Sequence, residues 1–298
     1  MASLVTRFLD PALVERLNAL SLSARQVVEG TTVGRHRAAL KGASVEFRQH
    51  RAYAAGDEPR RLDWRVLART DRPYVKEYDE ETNLRCAIVL DRSGSMGYRG
   101  ERSGQSKFEF AASLVASLAY LMLAQTEGVG LGIAGERVER WVAPRAGSQQ
   151  LSRLLEALER AAPAGTASAG RALRDVADRL ARRSLVIVVS DFISPIDSLR
   201  RGVARLRHDR HEVILLRVLD PDERTFPFRT LSQFNGLEGE RAQLAEPALV
   251  RRLYLDNFNR HARELADVCR LSRVELGTFV TDRAMFDSLT LFLRRRGG

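Results

Sequence analysis

Cysteine is scarce in this chain. Cys86 and Cys269 are the only two in 298 residues, and they lack the paired spacing of a zinc site or a disulfide framework. Both read as reduced core thiols, one in a strand and one in a helix. No GxxxxGK[ST] sequence occurs, so the chain is not itself a P-loop ATPase, and any ATP chemistry must come from a partner. A G-x-S-x-G elbow is also missing, because Ser95 has Ser93 where the first glycine would stand. The five histidines, His36, His50, His208, His211 and His261, sit in no recognisable base motif. His208 and His211 fall at a helix-to-strand junction and read as solvated or core-edge residues. Serine catalysis is disfavoured on both counts. There is no internal repeat and no low-complexity tract. No window reaches the roughly 18 apolar residues a membrane span needs, and the N-terminus has no signal-peptide apolar region. The expectation is a cytoplasmic protein.

Arginine is what the chain has in excess. The formal net charge is +10 at pH 7 with pI ≈ 10.3, and arginines outnumber lysines heavily. Such a surface attracts acidic partners, whether nucleic acid, anionic membrane or acidic protein faces. From Arg48 to Arg72, however, Arg48, Arg51, Arg60, Arg61, Arg65, Arg69 and Arg72 are interleaved with Asp57, Asp63 and Asp71. A phosphate-binding patch gains little from carboxylates set among its arginines. An internal network suits the stretch better, with Asp57 and Asp63 pairing with arginines and Trp64 packing under the sheet; a docking face is the alternative. Arg294, Arg295 and Arg296 read as solvated.

Hydropathy periodicity sets the fold class. Pro11 to Ala19 has helical spacing, with Asp10 as its cap. Tyr74 to Tyr78 alternates like an exposed strand, whereas Leu84 to Leu90 and Leu185 to Val189 are continuous apolar runs of the buried kind. Phe108 to Ala124 is apolar round most of its circumference, as in a helix packed between sheet and neighbours. Val129 to Ile133 and Val138 to Val142 read as a strand pair. Helices are expected at Leu151 to Ala161, Ala172 to Ala181, Ile196 to Leu206, Ala248 to Cys269 and Ala284 to Leu293. Strands are expected at Val213 to Leu219 and Val274 to Val280. This alternation implies an α/β fold: a doubly wound, mostly parallel, Rossmann-type sheet flanked by helices. Gly130-Leu131-Gly132-Ile133-Ala134-Gly135 matches GxGxxG, but it lies inside a strand and leads to another strand. It therefore lacks the helix N-terminus that would hold a pyrophosphate. Pro221 to Glu246 has little periodicity and reads as a cover over the domain edge or a partner surface.

The most chemically pointed stretch is Ile88-Val89-Leu90-Asp91-Arg92-Ser93-Gly94-Ser95-Met96. It sets a carboxylate and two hydroxyls at alternate positions beyond an apolar strand. Alternate residues at a fraying strand end can turn their oxygens to one point, and hard oxygen donors suit Mg2+ or Mn2+. Thr166, in a loop before a helix, and Asp191, ending the run Leu185 to Ser190, add two further oxygens. Adjacent parallel strands present their carboxyl ends at one edge, where open α/β sheets bind ligands. Five oxygens from three loops can then converge. The plainer alternative is a polar turn in which one serine caps the helix that follows near Gln105.

The motif Asp91-x-Ser93-x-Ser95, followed by Thr166 and Asp191, resembles the metal-ion-dependent adhesion site of von Willebrand factor A domains. That resemblance implies direct contact of Ser93 and Ser95 with the metal. Asp91, Thr166 and Asp191 would bind directly or through water, and an acidic side chain of a partner would take the remaining position. A second motif, Arg51-x-Tyr53-x-x-Gly56-Asp57-x-x-Arg60-x-x-Asp63-Trp64-x-x-x-Ala68-Arg69 continuing through Tyr74-Val75-Lys76-Glu77-Tyr78, resembles the signature of the bacterial "domain of unknown function 58" proteins. Those proteins are similar to von Willebrand A domains and are associated with AAA+ ATPases of the MoxR type. The resemblance implies three parts: an N-terminal helical segment, 1–34; the arginine-rich family segment, 35–83; and a von Willebrand factor A-like domain, 84–298. The functional expectation is a non-enzymatic, Mg2+-dependent protein-interaction module working with a MoxR-type ATPase on a client protein. The alternative is a nucleic-acid-binding protein that uses its basic surface.

Overall fold

The computed structural model describes residues 7–9, 11–18, 45–53, 63–70, 73–80, 85–124, 128–180 and 183–297. Contacts divide the chain into a small unit, Thr31–Asn83, and a large one made of Met1–Gly30 and Leu84–Gly298. Asp10, expected to cap the first helix, and Gly56, Asp57, Arg60, Arg61, Asp71 and Arg72 of the arginine-rich stretch lie outside the described residues.

The large unit begins with a helix over 11–18, here α1. In the small unit, strands β1 (Val45–Ala52) and β2 (Tyr74–Glu80) form an antiparallel pair with helix α2 (Trp64–Thr70) between them in sequence. Periodicity found β2 but missed β1. Asp63 is buried and its carboxylate accepts a 3.3 Å hydrogen bond from the Val66 amide in the first turn of α2, as an N-capping aspartate does. Trp64 corrects an expectation: it is 64% exposed rather than packed under a sheet.

The large unit is built on six strands: β3 (Arg85–Asp91), β4 (Gly128–Ala134), β5 (Val138–Arg145), β6 (Leu185–Ser190), β7 (Glu212–Leu219) and β10 (Glu275–Val280). Their order is β10-β7-β6-β3-β4-β5, parallel throughout except for β5, which runs antiparallel to β4. The doubly wound, mostly parallel α/β fold expected from the alternation of strands and helices is the fold observed. Alternate residues of each strand feed opposite cores, as the two-residue repeat requires. Cys86, Ile88 and Leu90 of β3 and Leu185, Ile187 and Val189 of β6 face α1, α3 (Lys107–Ala124), α4 (Ser148–Glu159) and α9 (Met285–Gly297). Val89, Val186 and Val188 face α5 (Ala169–Arg179), α6 (Ile196–His208) and α8 (Pro247–Ser272). Both cysteines are buried free thiols, as expected.

Helix α3 is the central helix of the first core. It is 18 residues long with mean hydropathy 1.4, enough to cross a membrane by length and composition, although 67% of it is buried inside the fold. The expectation that no stretch reaches span-like apolarity is corrected at this helix. Its start is set by Ser106 and Glu109, whose side chains bond reciprocally to each other's backbone amides at 3.2 and 2.8 Å, a capping-box exchange. The helix cap is therefore Ser106, and the serines at 93 and 95 are left for other work. The GxGxxG stretch lies in β4, as its sequence context implied. Its Gly130 is needed for packing, since a Cβ there would meet the Val142 carbonyl oxygen at 2.7 Å and the Pro144 ring at 2.8 Å.

The stretch expected to be irregular, Pro221 to Glu246, holds a short helix, α7 (Pro221–Thr225), and a hairpin of β8 (Ser232–Phe234) and β9 (Gln243–Ala245). Phe226 anchors it through ring contacts with Phe228, Phe234 and Tyr254 at 5.1, 5.6 and 4.7 Å between centroids. Three-residue strands fall below the length at which an alternating pattern is visible, so sequence periodicity gave no sign of them. At the C-terminus, Arg296 pairs with Glu212 and, at 3.6 Å, with Glu275. It is not merely solvated, unlike the exposed Arg294 and Arg295.

Candidate metal centre

Asp91 is the last residue of β3 and Asp191 directly follows β6, the strand beside it. Parallel pairing thus brings both carboxylates to the carboxyl edge of the sheet, and both are buried. Beyond Asp91 the chain makes one 3-10 turn, Gly94–Gly97. The Asp91 carboxylate accepts the Ser93 amide at 2.8 Å and the Ser190 hydroxyl at 2.6 Å. The Ser93 and Ser95 hydroxyl oxygens lie 3.1 Å apart, and the Ser95 side chain is near enough to the Asp191 carboxylate to favour its charged form. Asp91, Ser93, Ser95 and Asp191 therefore form one connected cluster.

Thr166 reaches this edge by a different route. Its loop is strapped to the Asp91 loop by the Gly94 amide on the Gly165 carbonyl at 2.8 Å and the Ala164 amide on the Arg92 carbonyl at 2.7 Å. The Arg92 guanidinium adds a 2.8 Å bond to the Ala162 carbonyl and an ion pair with Glu139. Thr166 itself is exposed, and among the described residues no hydrogen bond joins its hydroxyl to the other four. The structure thus brings four of the five expected residues into contact and sets the fifth on the adjoining loop.

Electrostatics separates the two carboxylates. Burial alone would raise the pKa of Asp191, but the Lys107 ammonium 2.7 Å away holds it below the usual carboxylate value. Lys107 is fully buried at the start of α3 and also bonds Glu223 at 2.5 Å. These two carboxylates overcome the desolvation that would lower its pKa and hold it raised. Among the described residues no cation pairs with Asp91. Burial first, and repulsion from Asp191 second, push its pKa up to about 6, against the hydroxyl and amide bonds it accepts. A buried carboxylate short of positive charge, beside two hydroxyl oxygens, is a donor set that fits a small hard divalent cation. Asp91, Ser93, Ser95, Asp191 and Thr166 are the residues that could hold one.

Sequence reasoning missed four residues here: Lys107, Ser190, Glu223 and Glu238. Lys107 opens an apolar helix, a position where lysine ordinarily reaches for solvent, so no local signal marks it as buried. Ser190 stood in the quoted strand, and its place beside Asp191 was the available clue. Glu223 is the third residue of α7 in a capping box with Asp220, a pattern readable as Asp-Pro-Asp-Glu. Glu238 lies on the β8–β9 hairpin, with one carboxylate oxygen 3.4 Å from the Ser95 amide and the other 3.3 Å from the Ala167 amide.

Part of the arginine excess is paired within the fold: Arg7 with Glu159, Arg16 with Asp287, Arg102 with Asp222, and Arg205 with Asp178 and Asp209. His211 is buried and its ring nitrogen accepts the Ser184 amide at 3.1 Å, the core-edge role expected of it.

A family model described as "Protein of unknown function DUF58" matches residues 49–264. Uncharacterized proteins of Mycobacterium tuberculosis and Mycobacterium bovis are 30% identical to the chain over 304 residues, covering 97% of it and 92% of their own length. Among solved structures, the conserved hypothetical protein BatB of Bacteroides thetaiotaomicron is similar at 12% identity and a TM-score of 0.43, over 72% of this chain and 98% of that one. The SpRpn10 VWA domain is similar at 13% identity and a TM-score of 0.40, over 69% and 94%.

Proposed function

The chain belongs to the DUF58 family, and from that premise we propose that it is a non-enzymatic, Mg2+-dependent protein-interaction module with a von Willebrand factor A-like metal site. The observation that carries this reading is the state of Asp91: a buried carboxylate with hydroxyl and amide donors around it and, among the described residues, no cation, 99 residues in sequence from the Ser190 that orients it. Mg2+ or Mn2+ would supply the missing charge. Ser93 and Ser95 offer hydroxyl oxygens, while Asp191 and Thr166 offer oxygens from neighbouring loops. Two carboxylates, one of them already held by Lys107, beside hydroxyls leave a metal with a position to share, so an acidic group of another protein is the ligand this site would take.

The chain's own residues do the positioning. Ser190 and the Ser93 amide hold the Asp91 carboxylate in place, Lys107 fixes Asp191 to the start of α3, and Arg92 clamps the Thr166 loop. The Ser190 hydroxyl is buried and committed to Asp91 and to the Phe192 amide, which supports positioning rather than attack on a substrate. By family resemblance the partner is a MoxR-type AAA+ ATPase, the pair acting on a client protein. The positive charge of the chain would speed such an encounter with an acidic face more than it would tighten it.

The test is affinity capture from native lysate with wild type and Asp91→Ala, each in Mg2+ or EDTA, with bound proteins identified by mass spectrometry. An AAA+ ATPase retained only by wild type in Mg2+ is the expected result. Capture that ignores both the substitution and the chelator would defeat the metal-bridge reading, and nucleic acid in the eluate would move attention to the basic surface.

A further inference from the structure

The hairpin between β8 and β9 carries an acid of this chain to the mouth of the site. Its base is held by the Phe226, Phe228 and Phe234 rings against Tyr254 of α8. Its tip turns through Gly236 and Gly239, the latter at φ +98, a conformation glycine adopts freely. The tip rests directly on the Asp91 loop. A Cβ on Gly94 would come within 1.8 Å of the Leu237 carbonyl oxygen, so residue 94 must be glycine for the tip to sit there. Glu238 then reaches down between two loops, its carboxylate divided between the Ser95 amide at 3.4 Å and the Ala167 amide at 3.3 Å. Those amides adjoin Ser95 and Thr166, donors from two separate segments. Among the described residues no cation pairs with Glu238, so an ordinary surface salt bridge does not account for its half-buried position.

We propose that Glu238 is an internal ligand of this site: the first acid to complete it comes from the chain itself, and an acidic partner must displace it. The inference rests on the metal-dependent reading given above and deepens it by naming what governs access. Charge and reach are matched: a glutamate on a glycine-flanked turn can be withdrawn by moving the tip alone, while the aromatic base stays anchored. A site closed in this way is selective, since a weak or badly placed acid cannot outcompete a carboxylate already held at high effective concentration.

Mn2+ alone is the probe. Full-length wild type, Glu238→Gln and Asp91→Ala are titrated with Mn2+, following free metal by electron paramagnetic resonance and coordinated water by proton relaxation. Wild type is expected to bind Mn2+ and Asp91→Ala to lose it. Glu238→Gln, similar in size but uncharged, is expected to bind roughly tenfold more weakly or worse, with higher relaxivity as water replaces the lost carboxylate. If Glu238→Gln matches wild type in affinity and relaxivity while Asp91→Ala loses the metal, Glu238 is no ligand and the metal site stands without it. If Asp91→Ala also binds like wild type, the metal reading itself is wrong and the internal ligand falls with it.

Discussion

Asp91 closes β3 and Asp191 follows β6, on neighbouring strands at one edge of the sheet, yet among the described residues it is Asp191 that has a cation beside it. Around Asp191 the fold has supplied its own counter-ion: buried Lys107, shared with Glu223, ties together the start of α3, the end of β6 and helix α7. Around Asp91 it has supplied only dipoles, from Ser190 and the Ser93 amide. The two ends therefore divide the labour. One has its charge balanced within the fold, and the other is left electrically unfinished, which is the state expected of a group that waits for an external charge.

The strongest way to break this comparison is to remove the internal cation. Lys107→Met should leave Asp191 and Glu223 buried and unpaired, costing about 3–5 kcal/mol of folding stability, measured by chemical denaturation. A loss near zero would mean that the two carboxylates are not held by Lys107 in solution.

Next in size is the contact over the Asp91 end. Gly94→Ala forces a Cβ against the Leu237 carbonyl, and an overpacked backbone contact of this kind costs about 1–3 kcal/mol. Amide exchange should rise in Gly94–Gly97 and in the hairpin while the Lys107 region keeps its protection. Uniform loosening would contradict a contact confined to one side.

The comparison is sharpened by Asp91→Asn. Because it removes an unpaired charge while keeping an amide oxygen for the Ser93 N–H, stability in EDTA should stay within about 1 kcal/mol of wild type. A loss as large as that of Lys107→Met would show that Asp91 is as structural as Asp191.

The smallest effect is a control on pH. Burial lowers the pKa of His211 below the ordinary 6.5. The unfolded chain therefore binds the proton more readily than the folded one just below that pH. The contribution of His211 is fully present above about 6.5 and is lost as pH falls from there towards its folded pKa. Denaturation midpoints of wild type and His211→Gln should converge over that interval as the pH is lowered; parallel curves would remove His211 from the account.

How much of this was legible in advance follows from the range of each interaction. The buried strands at Leu84 to Leu90 and Leu185 to Val189 were readable because a parallel strand covered on both faces is a continuous apolar run. Asp91, Ser93 and Ser95 were readable because their spacing is local, and Asp191 because it ends such a run. Trp64 was misplaced because an aromatic residue next to a capping aspartate carries no sign of which way it faces. Span-like apolarity in α3 was overlooked because alanine and serine are spread among its larger side chains, and only the mean over the whole helix reveals it.

By itself the sequence determined the α/β class, the strand edge where the oxygens gather and the family to which the chain belongs, since these depend on periodicity and on residues a few positions apart. Tertiary structure alone decided which carboxylate has a counter-ion and which acid stands over the site. Lys107 meets Asp191 across 84 residues, and Glu238 meets Ser95 across 143. Desolvation and Coulomb attraction depend on distance in space, so pairings across such separations exist only once the sheet has brought its loops to one edge.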